Sequence, residues 1–167
     1  MSDKESQGQT TEDSTAGSGK SGVKDIRWIL DMLPHRYPML LVDRVLEMDY
    51  GKRIVAIKNV TINEEVFMGH FPGHPVVPGV LLIEGMAQAG GILLLDTYEE
   101  HVRKRKLLYF TTIERARFRR PVVPGDQIRY EVDVIRHRGD NCKLAAKVMV
   151  DGKVAAEAKL SSAMIDR

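Results

Sequence analysis

The chain has 167 residues, of which 43% are hydrophobic and 29% charged, ordinary values for a soluble globular protein with one domain. Its formal net charge of +2 is too small to indicate a strongly charged partner by itself. The single cysteine, Cys142, excludes an intrachain disulfide and a zinc site built on thiolates, and it suits a reducing, cytoplasmic location.

Residues 1–23 are rich in Ser, Thr, Gly and Gln and nearly lack apolar side chains, which predicts a disordered tail before a domain at 24–167. The tail has neither the apolar segment of a secretory signal nor the Arg-rich, acid-poor composition of a transit peptide. It contains GSGKS at 17–21, but Ser14 stands where a phosphate-binding loop needs glycine, and no strand precedes it. We therefore reject a nucleotide-binding loop.

The first predicted elements are a short helix and two strands. Asp25 can cap the helix, and Pro34 ends it. The apolar residues of this helix recur at helical spacing: Ile26, Ile29, Leu30 and Leu33. Residues 38–49 and 53–62 then predict strands that are joined by a turn near Tyr50 and Gly51.

Residues 80–95 are apolar on nearly every side and predict a buried helix, with Pro78 at its first position. The stretch is short for a membrane span and carries Glu84 and Gln88, so we expect no membrane insertion. Small residues predict that neighbouring elements pack closely against it: Gly85, Ala87, Ala89, Gly90 and Gly91.

The C-terminal half of the chain predicts strands. Apolar and polar residues alternate over 128–134, 144–150 and 154–160. Asp151 and Gly152 separate the last two runs and are typical of a type I′ hairpin turn. One long helix combined with a mostly antiparallel sheet is an α+β arrangement.

The loop before the long helix is the most unusual segment. Its sequence, GHFPGHPVVPG at 69–79, contains three prolines and three glycines, which restrict the backbone and can hold His70 against the helix start. The backbone N–H groups of Gly79 and Val80 lie at the positive end of the predicted helix dipole. They could bind the polarised oxygen of a thioester.

Glu84 follows about a turn and a half into this helix. Partial burial of its carboxyl is expected to raise the pKa of Glu84 toward neutrality. A neutral His70 and a protonated Glu84 could then divide base and acid work, with Gln88 hydrogen-bonded to Glu84 one turn on. From the residues alone, a purely structural role for Glu84 stays open.

The second histidine of the loop does not complete a metal site. His70 and His74 have the spacing of helical zinc ligands, but Pro72 and Pro75 exclude a helix there. The residue after His70 is not the glutamate of that motif. We therefore interpret His74 as a surface residue and expect no metal.

Three segments resemble the FabZ-type hydroxyacyl-carrier-protein dehydratases: HRYPMLLVDRV at 35–45, GHFPGHPVVPGVLLIEGMAQAGG at 69–91 and ARFRRPVVPGD at 116–126. The resemblance spans residues 24–165 and implies the hotdog fold, a curved antiparallel sheet wrapped around one long helix. It implies that His70 and Glu84 are catalytic, in sites at a homodimer interface, within a trimer of dimers.

The same resemblance implies a hydro-lyase that needs no cofactor. It would convert a (3R)-hydroxyacyl group on the phosphopantetheine of acyl carrier protein to the trans-2-enoyl product, in fatty-acid and lipid A biosynthesis. Glu84 stands where the related dehydratase/isomerases have Asp, which favours dehydration alone. Two points stay open: whether His70 shuttles both protons, and whether Tyr109 or Phe110 is the family's aromatic gate. The alternatives are a hotdog acyl-thioesterase and a non-enzymatic basic binding module.

The stretch 101–120 is strongly basic, with eight Lys or Arg residues against one acid, Glu114. In a strand, alternation would place Arg115, Arg117 and Arg119 on one face. With Arg120 they are candidate contacts for an acidic acyl carrier protein. Interleaved aromatic residues would also suit nucleic acid, but the near-neutral total charge and the embedded Glu84 disfavour that partner.

Overall fold

The computed structural model describes residues 20–166, so residues 1–19 of the expected tail lie outside the described part. The strands are β1 (Lys20–Ser21), β2 (Arg44–Asp49), β3 (Arg53–Asn59), β4 (Lys106–Phe118), β5 (Gln127–Arg138), β6 (Asn141–Val150) and β7 (Lys153–Asp166). The helices are α1 (Ile26–Met32), α2 (Gly79–Leu95) and α3 (Glu100–Arg103), with a 3-10 turn at Glu65–Met68.

All seven described strands form one antiparallel sheet in the order β1-β2-β3-β5-β6-β7-β4. Helix α2 contacts β3, β5, β6, β7 and β4, so the sheet curves around it. The predicted α+β arrangement and its hotdog form are therefore confirmed. No helix within the described part of the chain combines the length and the apolar character needed to cross a membrane.

Helix α2 is the centre of the core, and its small residues let the sheet approach it closely. Met86, Ala89 and Ile92 have no exposed surface. A Cβ added to Gly85 would lie 2.1 Å from the hydroxyl oxygen of Tyr130. The expected close packing around α2 is thus present, because glycine leaves room for a buried aromatic ring.

Several element boundaries differ from the sequence expectations. The predicted strand at 38–49 begins only at Arg44. In the preceding segment, the Leu41 N–H is taken by the Gln88 side chain of α2 rather than by a neighbouring strand. The strand predicted at 53–62 ends at Asn59, after which the Val60 N–H bonds the carbonyl of Asp126.

Two turn predictions have opposite outcomes. Asp151 and Gly152 have φ values of 48° and 71°, so the predicted hairpin turn between β6 and β7 is confirmed. Pro78 is not the first helical residue, because its ψ of 132° is extended and α2 begins at Gly79. Within the segment expected to be a tail, Lys20–Ser21 pair with Met48 and Asp49 of β2.

Candidate active site

The loop before α2 fixes the ring of His70. The His70 carbonyl accepts the Val76 N–H at 3.1 Å, and Nδ1 of the His70 ring lies 2.7 Å from the Val76 carbonyl oxygen. A carbonyl only accepts, so Nδ1 carries a proton, and in the neutral imidazole the lone pair therefore lies on Nε2. The Phe71 ring stacks on His70 with 3.9 Å between centroids. The loop therefore presents a half-buried imidazole whose Nε2 has no hydrogen-bond partner within residues 20–166.

The start of α2 opens onto a surface groove. The Leu81 N–H already bonds the Pro78 carbonyl, whereas the N–H groups of Gly79 and Val80 have no acceptor within residues 20–166. The groove is also lined by Arg119 and Arg120. Free N–H groups at the positive end of a helix suit an oxygen that gains negative charge, as expected from the sequence.

Glu84 lies in a separate, mostly apolar cavity of about 410 Å³. The cavity runs between α2, β4 and the segment that follows α1. Its lining residues are Leu33, Pro34, His35, Glu84, Ala87, Gln88, Gly91, Leu95, Lys106, Leu107, Leu108, Tyr109, Phe110 and Ser162. One carboxyl in an apolar cavity of this size can act on an elongated, largely apolar molecule.

The ionisation of Glu84 differs from the sequence expectation. Nε2 of His35 lies 3.3 Å from Oε1 of Glu84, and the Gln88 amide donates to the same oxygen at 2.9 Å. The interaction with His35 lowers the pKa of Glu84 and, with the Gln88 bond, outweighs the opposing effect of burial. The prediction of a raised pKa was therefore wrong for this chain by itself.

Gln88 is the supporting residue that the sequence indicated, and it does more than contact Glu84. Its amide nitrogen also donates to the Met39 carbonyl at 2.7 Å, and its oxygen accepts the Leu41 N–H at 2.8 Å. These bonds join α2 to the segment before β2. Because Gln88 is 2% exposed, the bonds are shielded from water, and the position of Glu84 is tied to that of the segment.

His35 is a site residue that the sequence patterns do not predict. It belongs to a motif of the family resemblance and follows Pro34 at the expected end of α1. Periodicity carries no information about a contact between His35 and Glu84, because the two residues lie far apart in the chain. Only the folded chain brings His35 to Glu84.

The chain does not bring all the expected residues together. Tyr109 and Phe110 both line the Glu84 cavity, so the structure keeps both as candidates for an aromatic gate. His70 is not among the lining residues of that cavity. Within a single chain, therefore, the cavity around Glu84 does not include the His70 side chain.

The basic stretch contains a bulge, and of the three arginines expected on one strand face only Arg115 and Arg117 belong to β4. Arg115 has a φ of 53°, and the register of β4 shifts between Glu114 and Arg117. Arg115 and Arg117 line one groove, whereas Arg119 follows the strand and lines the groove at the helix start with Arg120. The Arg119 guanidinium also bonds Glu157.

The sequence and the structure were compared with known proteins. A family model described as a FabA-like domain matches residues 33–159. The chain is 50% identical over 143 residues to the 3-hydroxyacyl-[acyl-carrier-protein] dehydratase FabZ of Campylobacter hominis, a match that covers 86% of this chain and 99% of that protein. It is 51% identical over 146 residues to the protein of the same name from Nitratiruptor sp., with the same coverage.

Solved structures also match the fold. The dehydratase heterocomplex ApeI:P from Xenorhabdus doucetiae matches with a TM-score of 0.68 over 83% of this chain and 91% of that chain, at 18% identity. A hypothetical thioesterase with coenzyme A from Streptococcus pneumoniae matches with a TM-score of 0.55 over 74% of this chain and 85% of that chain, at 9% identity. At these identities the likeness concerns the fold alone.

Proposed function

The chain belongs to the family of FabA-like domains, and from this premise we propose that it dehydrates 3-hydroxyacyl groups carried as thioesters on acyl carrier protein during fatty-acid elongation. The structural observation that carries the proposal is the carboxyl of Glu84, which accepts the Gln88 amide N–H and lies 3.3 Å from Nε2 of His35 in an apolar cavity of about 410 Å³. The curated relatives named as dehydratases, about 50% identical over nearly their whole length, support the same reaction.

We assign the base to His70 and the acid to Glu84. Nε2 of His70 removes a proton from C2 of the (3R)-hydroxyacyl thioester, and the electrons of that bond form the double bond between C2 and C3. The bond between C3 and its hydroxyl oxygen breaks as Glu84 donates a proton, and water leaves. The Nδ1 bond of His70 to the Val76 carbonyl supports this role, because it keeps the lone pair on Nε2.

The free N–H groups of Gly79 and Val80 are proposed to hold the thioester oxygen. Removal of the C2 proton places negative charge on that oxygen, and the positive end of α2 stabilises it. The charge on this oxygen is larger after proton removal than in the bound substrate. The N–H groups therefore favour the reaction rather than binding alone.

The acid role requires that Glu84 be protonated when substrate is bound. In the single chain, the donors from His35 and Gln88 favour the carboxylate. Glu84 still has 23% of its side chain exposed, so a second subunit and an acyl chain over the cavity would desolvate it. Desolvation disfavours the charged form, which raises the pKa of Glu84 and allows it to keep the proton.

We further propose that each site is shared by two copies of the chain. His70 lies outside the Glu84 cavity of its own chain, so a second copy is needed to complete the pair. Strand β4 ends the sheet and has an unpaired edge within the described residues, along which apolar side chains are exposed. Pairing of two β4 edges would cover that surface, since an exposed edge of this kind is prone to pair with another strand.

The family resemblance is the basis for our proposals on the larger assembly, the carrier contact, the location in the cell and the pathway. We propose a trimer of such dimers, and a carrier contact at Arg119 and Arg120, whose groove includes the start of α2. Arg115 and Arg117 are proposed as outlying contacts in the neighbouring groove. A cytoplasmic location and a contribution to lipid A biosynthesis are part of the same proposal.

One assay tests the function against its alternatives. The protein is incubated with a 3-hydroxyacyl group on acyl carrier protein, and the enoyl thioester and free thiol are both measured. We expect the enoyl product to form without release of thiol. Release of thiol would indicate a thioesterase instead, and an unchanged substrate would favour a binding protein without enzymatic activity.

A further inference from the structure

We propose that His35 is a positioning residue, which fixes the carboxyl of Glu84 so that the oxygen Oε2 carries the transferable proton. This inference rests on the proposed function, because it gives a task to the acid of that reaction. His35 would not contact the reacting atoms; it would act through Glu84.

Two side-chain nitrogen atoms converge on one oxygen of Glu84. Nε2 of His35 lies 3.3 Å from Oε1, and the Gln88 amide donates to Oε1 at 2.9 Å. Oε2 accepts no hydrogen bond from a side chain within residues 20–166. Because Oε1 faces N–H groups, a proton on the carboxyl must reside on Oε2, where it can be donated. The position of His35 thus determines which carboxyl oxygen is the acid.

The backbone of His35 is itself held in place. The Arg36 guanidinium donates to three carbonyl oxygens, those of Leu30 at 3.0 Å, Leu33 at 2.8 Å and His35 at 2.7 Å. The first two belong to the C-terminal turn of α1, which would otherwise lack partners for its carbonyls. Arg36 therefore fastens His35 to the end of a helix, and a side chain on such a support can orient Glu84.

A purely structural role does not account for the ring of His35. Its Nδ1 is buried and has no hydrogen-bond partner within residues 20–166. Burying a polar atom without a partner costs free energy, so an aliphatic side chain would fill this place more favourably. The neutral form with its proton on Nε2 keeps the contact with Glu84 and leaves only an acceptor unpaired at Nδ1.

Other ionisable groups near Glu84 do not replace His35. Tyr130 of β5 interacts electrostatically with Glu84, but burial raises the pKa of Tyr130 strongly and keeps its hydroxyl neutral. Lys106 of β4 lines the same cavity, and its ammonium is paired with Asp166 at 3.0 Å. His35 is the group that both contacts Glu84 and changes the pKa of Glu84 most.

Three variants at position 35 separate orientation from packing. His35→Leu keeps an apolar side chain of similar bulk without a donor, His35→Ala removes the side chain, and His35→Gln restores an N–H donor. We expect His35→Leu and His35→Ala to lower kcat by about 10-fold or more, because a misplaced catalytic group loses rate steeply. His35→Gln should recover most of kcat. Thermal melting of the full chain shows which variants are folded.

A matched control is available on the surface. Nδ1 of His101 also lies 3.3 Å from a carboxylate oxygen, that of Glu99, but both side chains are largely exposed. His101→Ala should leave kcat unchanged. A double variant, His35→Leu with Glu84→Gln, should be no slower than Glu84→Gln alone, because His35 acts only through Glu84. Additive losses in the double variant would overturn the inference.

A readout without turnover separates this inference from the proposed function. The pKa of the Glu84 carboxyl is measured by carbon NMR on glutamate-labelled protein, and the signal is assigned with Glu84→Gln. In His35→Leu this pKa should rise, because the largest lowering influence is gone. If the pKa and kcat are both unchanged in folded His35→Leu, the inference fails while the proposed function stands. If instead the wild-type protein is inactive but the pKa of Glu84 still rises in His35→Leu, the proposed function fails and the contact between His35 and Glu84 stands.

Discussion

Three glycines of α2 provide a graded test of how closely the sheet wraps the helix. A methyl group at Gly85 would lie 2.1 Å from the Tyr130 hydroxyl oxygen and 2.5 Å from its ring. Tyr130 is fully buried and cannot move aside. At Gly90 the clash is with Cδ1 of Leu144 at 2.3 Å, and at Gly91 the nearest atom is 3.7 Å away.

These distances predict the order of stability of the three Gly→Ala variants. Replacing glycine by alanine within a helix stabilises it by up to about 1 kcal/mol. Overpacking costs about 1–3 kcal/mol, and the short approach to a buried ring places Gly85→Ala at about 2–3 kcal/mol, so this variant should lose about 1–2 kcal/mol net. Gly90→Ala should be nearly neutral, because the end of the Leu144 side chain can rotate away. Gly91→Ala should keep the full helix gain, because its methyl group meets only ordinary contacts.

Thermal unfolding at one fixed protein concentration measures the three free energies, because the proposed association of two copies would contribute to the apparent stability. For a chain of this size, 1 kcal/mol corresponds to about 2–4 °C in Tm. We expect Tm to fall by about 2–8 °C in Gly85→Ala and to rise by about 2–4 °C in Gly91→Ala. If Gly85→Ala is as stable as the wild type, Tyr130 does not pack against α2 as described, and the reasoning fails.

Three further predictions concern the active site. His70→Ala and Glu84→Gln should each lower turnover by about 100-fold or more, the scale of lost acid–base catalysis, while the fold is retained. If each site is shared by two copies as proposed, unfolding and refolding these two variants together should make about half of the dimers mixed, each with one intact site of two, and activity should return to roughly a quarter of wild type. Arg120→Glu should raise KM for carrier-linked substrate in a salt-dependent way, with little effect on a small thioester analogue.

Each of these predictions has its own control. Near-normal turnover in Glu84→Gln would remove Glu84 from the acid role. A refolded mixture no more active than the average of its two components would mean that each site is built within one chain. Arg138→Glu, at the opposite end of the sheet, is the control for Arg120→Glu, whereas Arg119 is unsuitable because its reversal would oppose Glu157. Equal losses on both substrates would indicate damage to the fold rather than to carrier binding.

Local patterns in the sequence determined much of the fold. Residues adjacent in the chain determine three features that were predicted: the apolar run of α2, the alternation in β5, β6 and β7, and the turn at Asp151 and Gly152. The loop at 69–79 also identified His70 and the helix start, because its prolines and glycines restrict the backbone locally. Gln88 was found for the same reason, since residues one helical turn apart must meet.

Tertiary structure alone decided what surrounds Glu84. Burial on an apolar helix argued for a raised pKa, but His35, brought from the end of α1, reverses the direction by its contact with Oε1. The end of β4 at Phe118 likewise left Arg119 outside the strand, although strand alternation had placed it in one row with Arg115 and Arg117. Periodicity specifies which face of an element a residue occupies, whereas the ionisation of a carboxyl depends on atoms a few ångströms away that belong to distant parts of the chain.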